Sequence, residues 1–265
     1  MTRKPSTGFL FQAASLVVAS LLVHAIYVTV VWPRSEATLA EQAVKMQADP
    51  MYVQERSIWV ILRDYEQESE IILMLWAMAI IADKVRRVRA ERAMLERELV
   101  PLAQGMKILP EDVREYARHL QALPFPERDA LVPRGLLAAL NRFGVTRSIS
   151  DASASARDVC EGEGDRLDSE LSLLRYIAWA IPAIGFIGTV RGIGDALSQA
   201  HRAMQGDLSG VTAGLGTAFN STLVALLLSL LLMFLLHHLQ TDQERLVRDA
   251  SNWLDDQLVQ NLRAA

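Results

Sequence analysis

The sequence lacks the residue patterns on which most enzymes and nucleic-acid-binding proteins depend. Its 265 residues include one cysteine, Cys160, so neither an internal disulfide nor a site of several thiolate ligands is available. The formal net charge is −4 at pH 7, which provides no basic excess for binding nucleic acid. No Walker loop, no H-E-x-x-H zinc motif and no G-x-S-x-G nucleophile motif occurs. We therefore expect a protein that is not an enzyme, uses no cofactor or metal and binds no nucleic acid.

Long apolar segments are present instead. A helix crosses the hydrocarbon core of a bilayer with about 20 predominantly apolar residues. Three segments reach that length, at about 9–32, 172–194 and 211–236, and none of them contains an acidic residue. The first is too long for the apolar region of a secretory signal peptide and no clean cleavage site follows it, so we expect it to remain as an anchor. The sequence therefore predicts an all-α polytopic transmembrane protein embedded in a lipid bilayer.

A fourth span is predicted from a shorter apolar segment and from the charges around it. Residues 71–82 are apolar, and their neighbours extend the segment to about 67–85. The stretch 34–70 holds eight acidic residues against four Lys or Arg, whereas a cluster of six Lys and Arg follows the segment. The positive-inside rule places that cluster in the cytoplasm, together with the basic residues near the start of the chain. Four spans are therefore preferred, and the alternative has three spans with the N-terminus outside.

The spans divide the chain into four predicted regions. These are an N-terminal membrane region at 1–82, a cytoplasmic helical region at 83–171, a second membrane region at 172–237 and a cytoplasmic C-terminal helix at 238–265. Between 148 and 164 the composition turns small and acidic, which favours a loop or a loose helix. In the C-terminal region apolar residues recur on one helical face, so we expect it to continue the last span as a helix.

The last two spans carry small and polar residues that a plain anchor does not need. In the third segment, small residues fall within about a third of the helix circumference, and Gly188 and Gly192 form a GxxxG pair that lets another helix approach closely. In the final segment Thr217, Asn220 and Ser221 share one face. The Asn220 amide is costly to leave unpaired in lipid, so it should face protein or water. Two interpretations of these residues stay open. They either serve helix packing alone, or they line a narrow, water-containing path in which hydroxyls relay or solvate a proton.

Two segments resemble a known family. Residues 180–194 read AIPAIGFIGTVRGIG, and residues 214–232 read GLGTAFNSTLVALLLSLLL. The first is similar to the proline-containing, glycine-rich span of the MotA/TolQ/ExbB proton channel family, and the second resembles the span that follows it. The order of elements also agrees, with a long cytoplasmic insertion, a span, a short outer loop, a span and a helical tail. On these motifs the region 172–237 is identified as the channel domain of a ring-forming subunit of that family.

The resemblance implies an assembly and a set of site residues. Members form a pentameric ring around two copies of a single-span partner similar to ExbD, TolR or MotB, which supplies an essential aspartate. Thr189 and Thr222 match threonines that line the proton path, and Pro182 matches the proline linked to coupling proton binding with movement. The predicted proton path comprises Thr189, Thr222, Thr217, Asn220 and Ser221, and the predicted coupling and helix-packing positions are Pro182, Gly185, Gly188 and Gly192.

The chain departs from the family pattern near the start of the final span. TolQ and ExbB usually carry a glutamate there, where this sequence has Thr217. Since neither motif span contains Asp or Glu, these two spans cannot supply an intramembrane carboxylate, and the partner's aspartate becomes indispensable. Arg191, near the end of the third span, is expected to pair with Asp195 one turn further on, or to be a solvated end charge.

The resemblance therefore predicts a multi-pass, homo-oligomeric protein of the bacterial inner membrane. It would conduct protons together with its single-span partner and convert the proton motive force into mechanical work. The alternative function is a non-conducting membrane scaffold that recruits partners through its cytoplasmic helices. The ion stays open between proton and sodium, and the driven process between flagellar rotation, outer-membrane transport, envelope maintenance, surface motility and phage defence.

Overall fold

The computed structural model of the chain is built from α-helices. It describes residues 7–49, 52, 55–97, 99, 107–125 and 127–263. Among these residues no strand forms, and one isolated β-bridge joins Ile108 to Leu262. The chain divides into two compact units. The first, here the membrane unit, comprises Met1–Ile81 and Leu173–Leu236, and the second, here the polar unit, comprises Ala82–Ser172 and His237–Ala265.

Ten α-helices account for most of the described chain. They are α1 (Thr7–Ile26), α2 (Trp32–Ala48), α3 (Ile58–Ile61), α4 (Tyr65–Leu95), α5 (Val113–Gln121), α6 (Leu131–Thr146), α7 (Ile149–Glu170), α8 (Ser172–Ser198), α9 (Ala200–Ala203) and α10 (Ser209–Gln257). A π-helical segment, Tyr27–Val31, joins α1 to α2, and the Trp32 N–H donates to the Tyr27 carbonyl there. The all-α class predicted from the sequence is confirmed.

Three helical stretches of the described chain are long and apolar enough to cross a membrane. They are Gly8–Ala48, Ile149–Ser198 and Ser209–Asn261, and they contain the three long apolar segments seen in the sequence. Large apolar side chains such as Phe186 and Leu230 are 66% and 71% exposed, as lipid-facing residues are. Helix α4 is not among them because its apolar middle is short. Glutamates before it and charged residues after it fall within the length that a span requires. The four-span count therefore stays a prediction.

In the membrane unit, the first helix and α4 are joined by tryptophan hydrogen bonds. The Trp76 indole N–H of α4 donates to the Gln12 carbonyl of α1 at 2.8 Å. The Trp32 indole N–H donates to the Arg63 carbonyl at 3.0 Å, just before α4 begins. Buried indoles satisfy their single donor in this way. These contacts hold the start of α4 against the first span, so the acidic residues at that start lie inside the unit.

The polar unit has an apolar core made by α5, α6, α7 and the end of α10. Leu136, Leu140 and Phe143 of α6 are completely buried in it together with Leu254 of α10. The two helices approach closely at Gly135, where an added Cβ would be 2.5 Å from a Leu254 methyl carbon. This core explains why the predicted C-terminal helix needs an apolar face.

Helix α7 begins at Ile149, within the stretch 148–164 for which the small, acidic composition predicted a loop or a loose helix. Ser148 caps the helix, because its Oγ accepts a hydrogen bond from the Asp151 N–H at 3.2 Å. Ala152, Ala156 and Cys160 recur at four-residue intervals and are buried. Burial raises the pKa of the Cys160 thiol to about 11. The helical alternative is therefore correct. The composition left a loop open because the buried face of this helix consists of small side chains, which add little hydrophobicity to the sequence.

Candidate functional site

Glycines set the contact between α8 and α10 in the membrane unit. An added Cβ at Gly188 would be 2.5 Å from the Ser221 Cβ, and one at Gly192 would be 2.6 Å from the Ala218 amide nitrogen. At Gly185 it would be 3.1 Å from the Ser221 carbonyl oxygen. At Gly185 the added atom would also meet the Ala225 Cβ, at a shorter distance than any of these, so a methyl group fits at none of the three positions. The structure thus places the three predicted glycines in one interface, where the two backbones pack closely, as small residues allow in membranes.

The two predicted threonines meet across this interface. The Thr189 and Thr222 hydroxyls are hydrogen-bonded to each other. The Thr189 Oγ1 also lies 3.2 Å from the Gly185 carbonyl oxygen and 3.1 Å from that of Ala218, and the Thr222 Oγ1 lies 3.4 Å from the Gly185 carbonyl oxygen. Each hydroxyl has one proton and two lone pairs. The pair therefore has more acceptors than protons, and rotation of its O–H bonds converts one hydrogen-bond arrangement into another.

The other predicted path residues occupy different surroundings. Ser221 is completely buried against the Gly188 side of α8, and its Oγ donates to the Thr217 carbonyl at 2.8 Å. Thr217 is also buried. Asn220 is half-buried and its amide has no hydrogen bond within the described part of the chain. The structure thus brings Ser221 to the α8 interface and leaves the Asn220 amide available to a partner outside this chain.

Pro182 interrupts the hydrogen bonds of α8, and α10 compensates for the loss. Proline has no N–H, so the Ala178 carbonyl four residues earlier lacks its usual helical donor. The Ser229 hydroxyl of α10 donates to that carbonyl at 3.1 Å. A membrane helix tolerates proline when a neighbouring helix satisfies the freed group in this way. The sequence identified Pro182 as a coupling position but did not predict this contact.

Arg191 is paired with α4, not with its own helix. Its Nε and Nη2 donate to the two carboxylate oxygens of Glu66 at 2.8 and 2.7 Å, and Nη2 lies 3.5 Å from an Asp64 carboxylate oxygen. The forked geometry is the strong form of an arginine–carboxylate contact. The predicted pairing with Asp195 is therefore wrong, because packing brings Glu66 to the guanidinium from a distant part of the sequence.

Helix α4 also brings a carboxyl group to the glycine face of α8. Glu70 is completely buried, and its Oε1 would lie 3.3 Å from a Cβ added at Gly185. Neither of its carboxyl oxygens has a hydrogen-bond partner among the described residues. Sequence reasoning missed this residue because it looked for carboxylates only within the two motif spans. The available signal was a glutamate directly before the apolar segment 71–82.

Comparison with known proteins finds a family match that includes the residues of this site. The model of the MotA/TolQ/ExbB proton channel family matches residues 132–252, from α6 through α8 and most of α10. No match was found among curated proteins or among solved structures. Members of that family work with single-span partner subunits in membrane complexes. The matched residues include the glycine interface, Pro182 and the threonine pair. Residues 132–252 therefore form a region of the MotA/TolQ/ExbB proton channel family.

Proposed function

We propose that this chain is the ring subunit of a proton-driven motor in the bacterial inner membrane. It conducts protons together with a single-span partner that carries an aspartate in its helix, and it converts the proton motive force into mechanical work. The observation that carries this proposal is the hydroxyl pair of Thr189 and Thr222 between the two spans of the family region.

The threonine pair has the chemistry that a moving carboxyl group requires. A hydroxyl donates a stronger hydrogen bond to a carboxylate than to a neutral carboxylic acid. The pair therefore holds the partner's aspartate more tightly when it is ionised than when it is protonated. A group that binds two states unequally shifts the balance between them, and protonation of the aspartate favours release. The membrane potential contributes about 2.3 kcal/mol per charge for each 100 mV, which gives the cycle a direction.

The half-buried Asn220 amide supports assembly with further subunits. An amide without a hydrogen-bond partner is unfavourable where a helix faces lipid. Contact with a neighbouring copy or with the partner's helix removes that cost. Together with the pattern of the family, this favours a homo-oligomer, for which we propose the pentameric ring.

The test begins with the complex as it exists in its native membrane. The tagged chain is purified in a gentle detergent, the co-purifying proteins are identified by mass spectrometry, and the complex is reconstituted into liposomes. Proton uptake is then driven by a potassium diffusion potential and followed with an internal pH-sensitive dye. We expect a single-span partner with an aspartate in its helix, and proton flux that depends on the imposed potential.

Replacing a threonine of the pair should abolish this flux without disturbing assembly. Thr222→Val and Thr189→Val keep the side-chain shape and remove the hydroxyl, so we expect each to lower the flux about 100-fold, as loss of a positioned proton-transfer group does. Thr222→Ser restores a hydroxyl and should recover most of the flux. The matched control is Thr212→Val, since Thr212 is an exposed threonine near the start of the same helix.

Two results would count against the proposal. Unchanged flux in both valine variants would exclude the threonine pair from the proton path. A chain that purifies without any partner and gives liposomes with no potential-driven flux would favour the non-conducting scaffold.

A further inference from the structure

Glu70 occupies a polar site within the membrane unit that the family motifs do not include. Its side chain is completely buried, and both of its carboxyl oxygens lack a hydrogen-bond partner in the described part of the chain. Gln67, one turn earlier on α4, is equally buried, and both of its amide atoms also lack partners, as does the Tyr27 hydroxyl of the first span. Native proteins leave few buried polar atoms unsatisfied. Several such atoms in one unit therefore indicate a site with a function.

The basic side chains on the neighbouring helices are bonded to other carboxylates. Arg191 of α8 is held by the two oxygens of Glu66, one turn before Glu70 on α4. His24 of α1 is bonded to Glu68 at 2.8 Å. Gly185 of α8, against which Glu70 lies, carries no charge, and neither does Ser221 of α10, which approaches the same glycine. The titratable and charged groups around the site are therefore Tyr27 and His24 on the first span, Asp64, Glu66 and Glu68 beside or on α4, and Arg191 on α8.

Burial without a partner decides the charge of this carboxyl group in the observed arrangement. An ionised carboxylate that is buried without a counter-ion or hydrogen-bond donors costs several kcal/mol, whereas a neutral acid avoids most of this cost. Glu70 is therefore neutral, holding a proton, as long as the helices pack as they do here. It becomes a carboxylate only when a donor or a cation reaches it. A group with these two states takes up and releases protons in step with changes in packing.

The position of Glu70 connects it with the threonine pair. Its Oε1 lies against Gly185 on the α4 side of α8, and the carbonyl oxygen of the same glycine lies within hydrogen-bond distance of Thr189 and Thr222. A Cβ at Gly185 would lie 3.3 Å from the Glu70 Oε1, a tight contact, so the glycine favours the approach of the carboxyl group. The carboxyl group and the two hydroxyls therefore bracket one peptide unit of α8.

We propose that Glu70 is a proton-binding residue of this channel, supplying from α4 the carboxyl group that the two motif spans lack. This inference rests on the proposed function for the role of the proton. An O–H bond forms on Glu70 when the proton arrives and breaks when the proton leaves toward the threonine pair, so the carboxyl group returns to its starting state and no other reactant is consumed. While Glu70 is ionised, between release of one proton and arrival of the next, the Gln67 amide N–H or the Tyr27 hydroxyl donates a hydrogen bond to its carboxylate.

Two measurements on the purified complex test this inference separately from the motor. The first is proton flux in liposomes, where Glu70→Gln should lower the rate about 100-fold because a permanently neutral amide carries no transferable proton. Glu70→Asp, which keeps a carboxyl group, should retain part of the flux. The matched control is Glu68→Gln, since Glu68 is a buried glutamate of the same helix that pairs with His24 instead.

The second measurement does not require a working motor. Dicyclohexylcarbodiimide is an apolar reagent that adds to protonated carboxyl groups within membranes, and its adduct is located by peptide mass spectrometry. We expect labelling at Glu70 in the wild-type complex, declining as the pH is raised, and its loss in Glu70→Gln but not in Glu68→Gln.

The outcomes separate the two proposals. Full flux in Glu70→Gln, with flux lost in Thr222→Val, would overturn the role of Glu70 and leave the proposed function standing. Absence of labelling at every pH would likewise overturn it. Labelling of Glu70 in a wild-type complex that passes no protons would overturn the motor, while proton binding by Glu70 would stand on the labelling alone.

Discussion

The contact between α8 and α10 depends on the absence of a single carbon atom at Gly192. A Cβ at this position would be 2.6 Å from the Ala218 amide nitrogen and 2.6 Å from the Gly214 carbonyl oxygen. Both neighbours are backbone atoms, which cannot rotate away as the end of a long side chain can. The contact is reciprocal, since a Cβ at Gly214 would be 2.7 Å from the Ala196 amide nitrogen. The sequence predicted the α8 glycines but not their partner glycine on α10.

Gly192→Ala should therefore destabilise the membrane unit. Overpacking of a tight contact costs about 1–3 kcal/mol, so we expect a lower thermal unfolding midpoint in detergent and weaker assembly. The matched control is Gly194→Ala, two residues further along α8, where an added Cβ would meet no atom within 4 Å. That variant should keep or slightly raise the midpoint because alanine favours a helix over glycine. Equal midpoints for the two variants would show that the helices do not pack as described.

At the scale of a helix, α10 supplies the hydrogen bond that Pro182 removes from α8. A bend of α8 at Pro182 breaks no helical hydrogen bond to the Ala178 carbonyl, because proline has none to donate. That carbonyl is bonded to Ser229 instead. A bend at this point therefore has to stretch or move a contact with α10. This gives a physical reason for the proposed role of Pro182 in coupling proton binding to movement.

The dependence of Ser229 on Pro182 is measurable with a double-mutant cycle. Ser229→Ala should destabilise the unit by about 1 kcal/mol, because it leaves the Ala178 carbonyl unpaired. In a Pro182→Ala background the new amide N–H satisfies that carbonyl, so the same serine replacement should cost less. The readout is the free energy of unfolding in mixed detergent, with Ser198→Ala at the exposed end of α8 as the control. Additive effects of the two replacements would contradict the inference that Ser229 satisfies the carbonyl that Pro182 leaves without a donor.

At the scale of the whole molecule, the number of spans depends on α4. The helix has an apolar middle, but glutamates at its start and basic residues after it keep charges in each 18-residue stretch. The structure shows how two of these glutamates are accommodated, since Glu66 is neutralised by Arg191 and Glu70 is buried against Gly185. Charges that are paired or buried in protein do not face lipid, which removes the main objection to a fourth span.

The topology follows from labelling single cysteines with a membrane-impermeant maleimide. Because Cys160 is the one cysteine of the chain, Cys160→Ala provides an unlabelled parent. In that parent we expect Ala40→Cys and Gln205→Cys, both at exposed positions, to react from the outside. Arg245→Cys should react only after the membrane is permeabilised. Reaction of Ala40→Cys only from the inside would instead establish three spans with the N-terminus outside.

The sequence was sufficient for the long apolar helices and for the faces of α8 and α10, because these features are local. Apolar length predicts a spanning helix whatever surrounds it, and small residues at helical spacing predict a close helix contact. For the same reason Gly188 and Gly192 were identified without any knowledge of the residues they face.

The contacts that α4 makes with α8 could not be predicted from the sequence, for a physical reason. Arg191 and Glu66 are 125 residues apart, and no local pattern indicates which distant carboxylate a guanidinium will meet. Asp195 was the nearest acidic residue at helical spacing, so the sequence offered either that pairing or a solvated charge, and Arg191 instead pairs with Glu66. Glu70 was missed likewise, since its burial against Gly185 is decided by how three helices pack together.

The π-helical segment of the first span has a consequence for comparing this protein with others. Ala19, Val23, Tyr27, Val31 and Ser35 are buried at regular intervals of four residues. In an uninterrupted α-helix each interval of four turns the row by about 40°, so the row would wind away from the interior. The π-helical segment contains one more residue per turn than the α-helix. The extra residue rotates the later positions of the row back toward the interior. An alignment of this span with a regular helix therefore needs a one-residue gap near the end of the span, at the π-helical segment. Without that gap, every residue beyond Val31 is assigned to a face about 100° from its own.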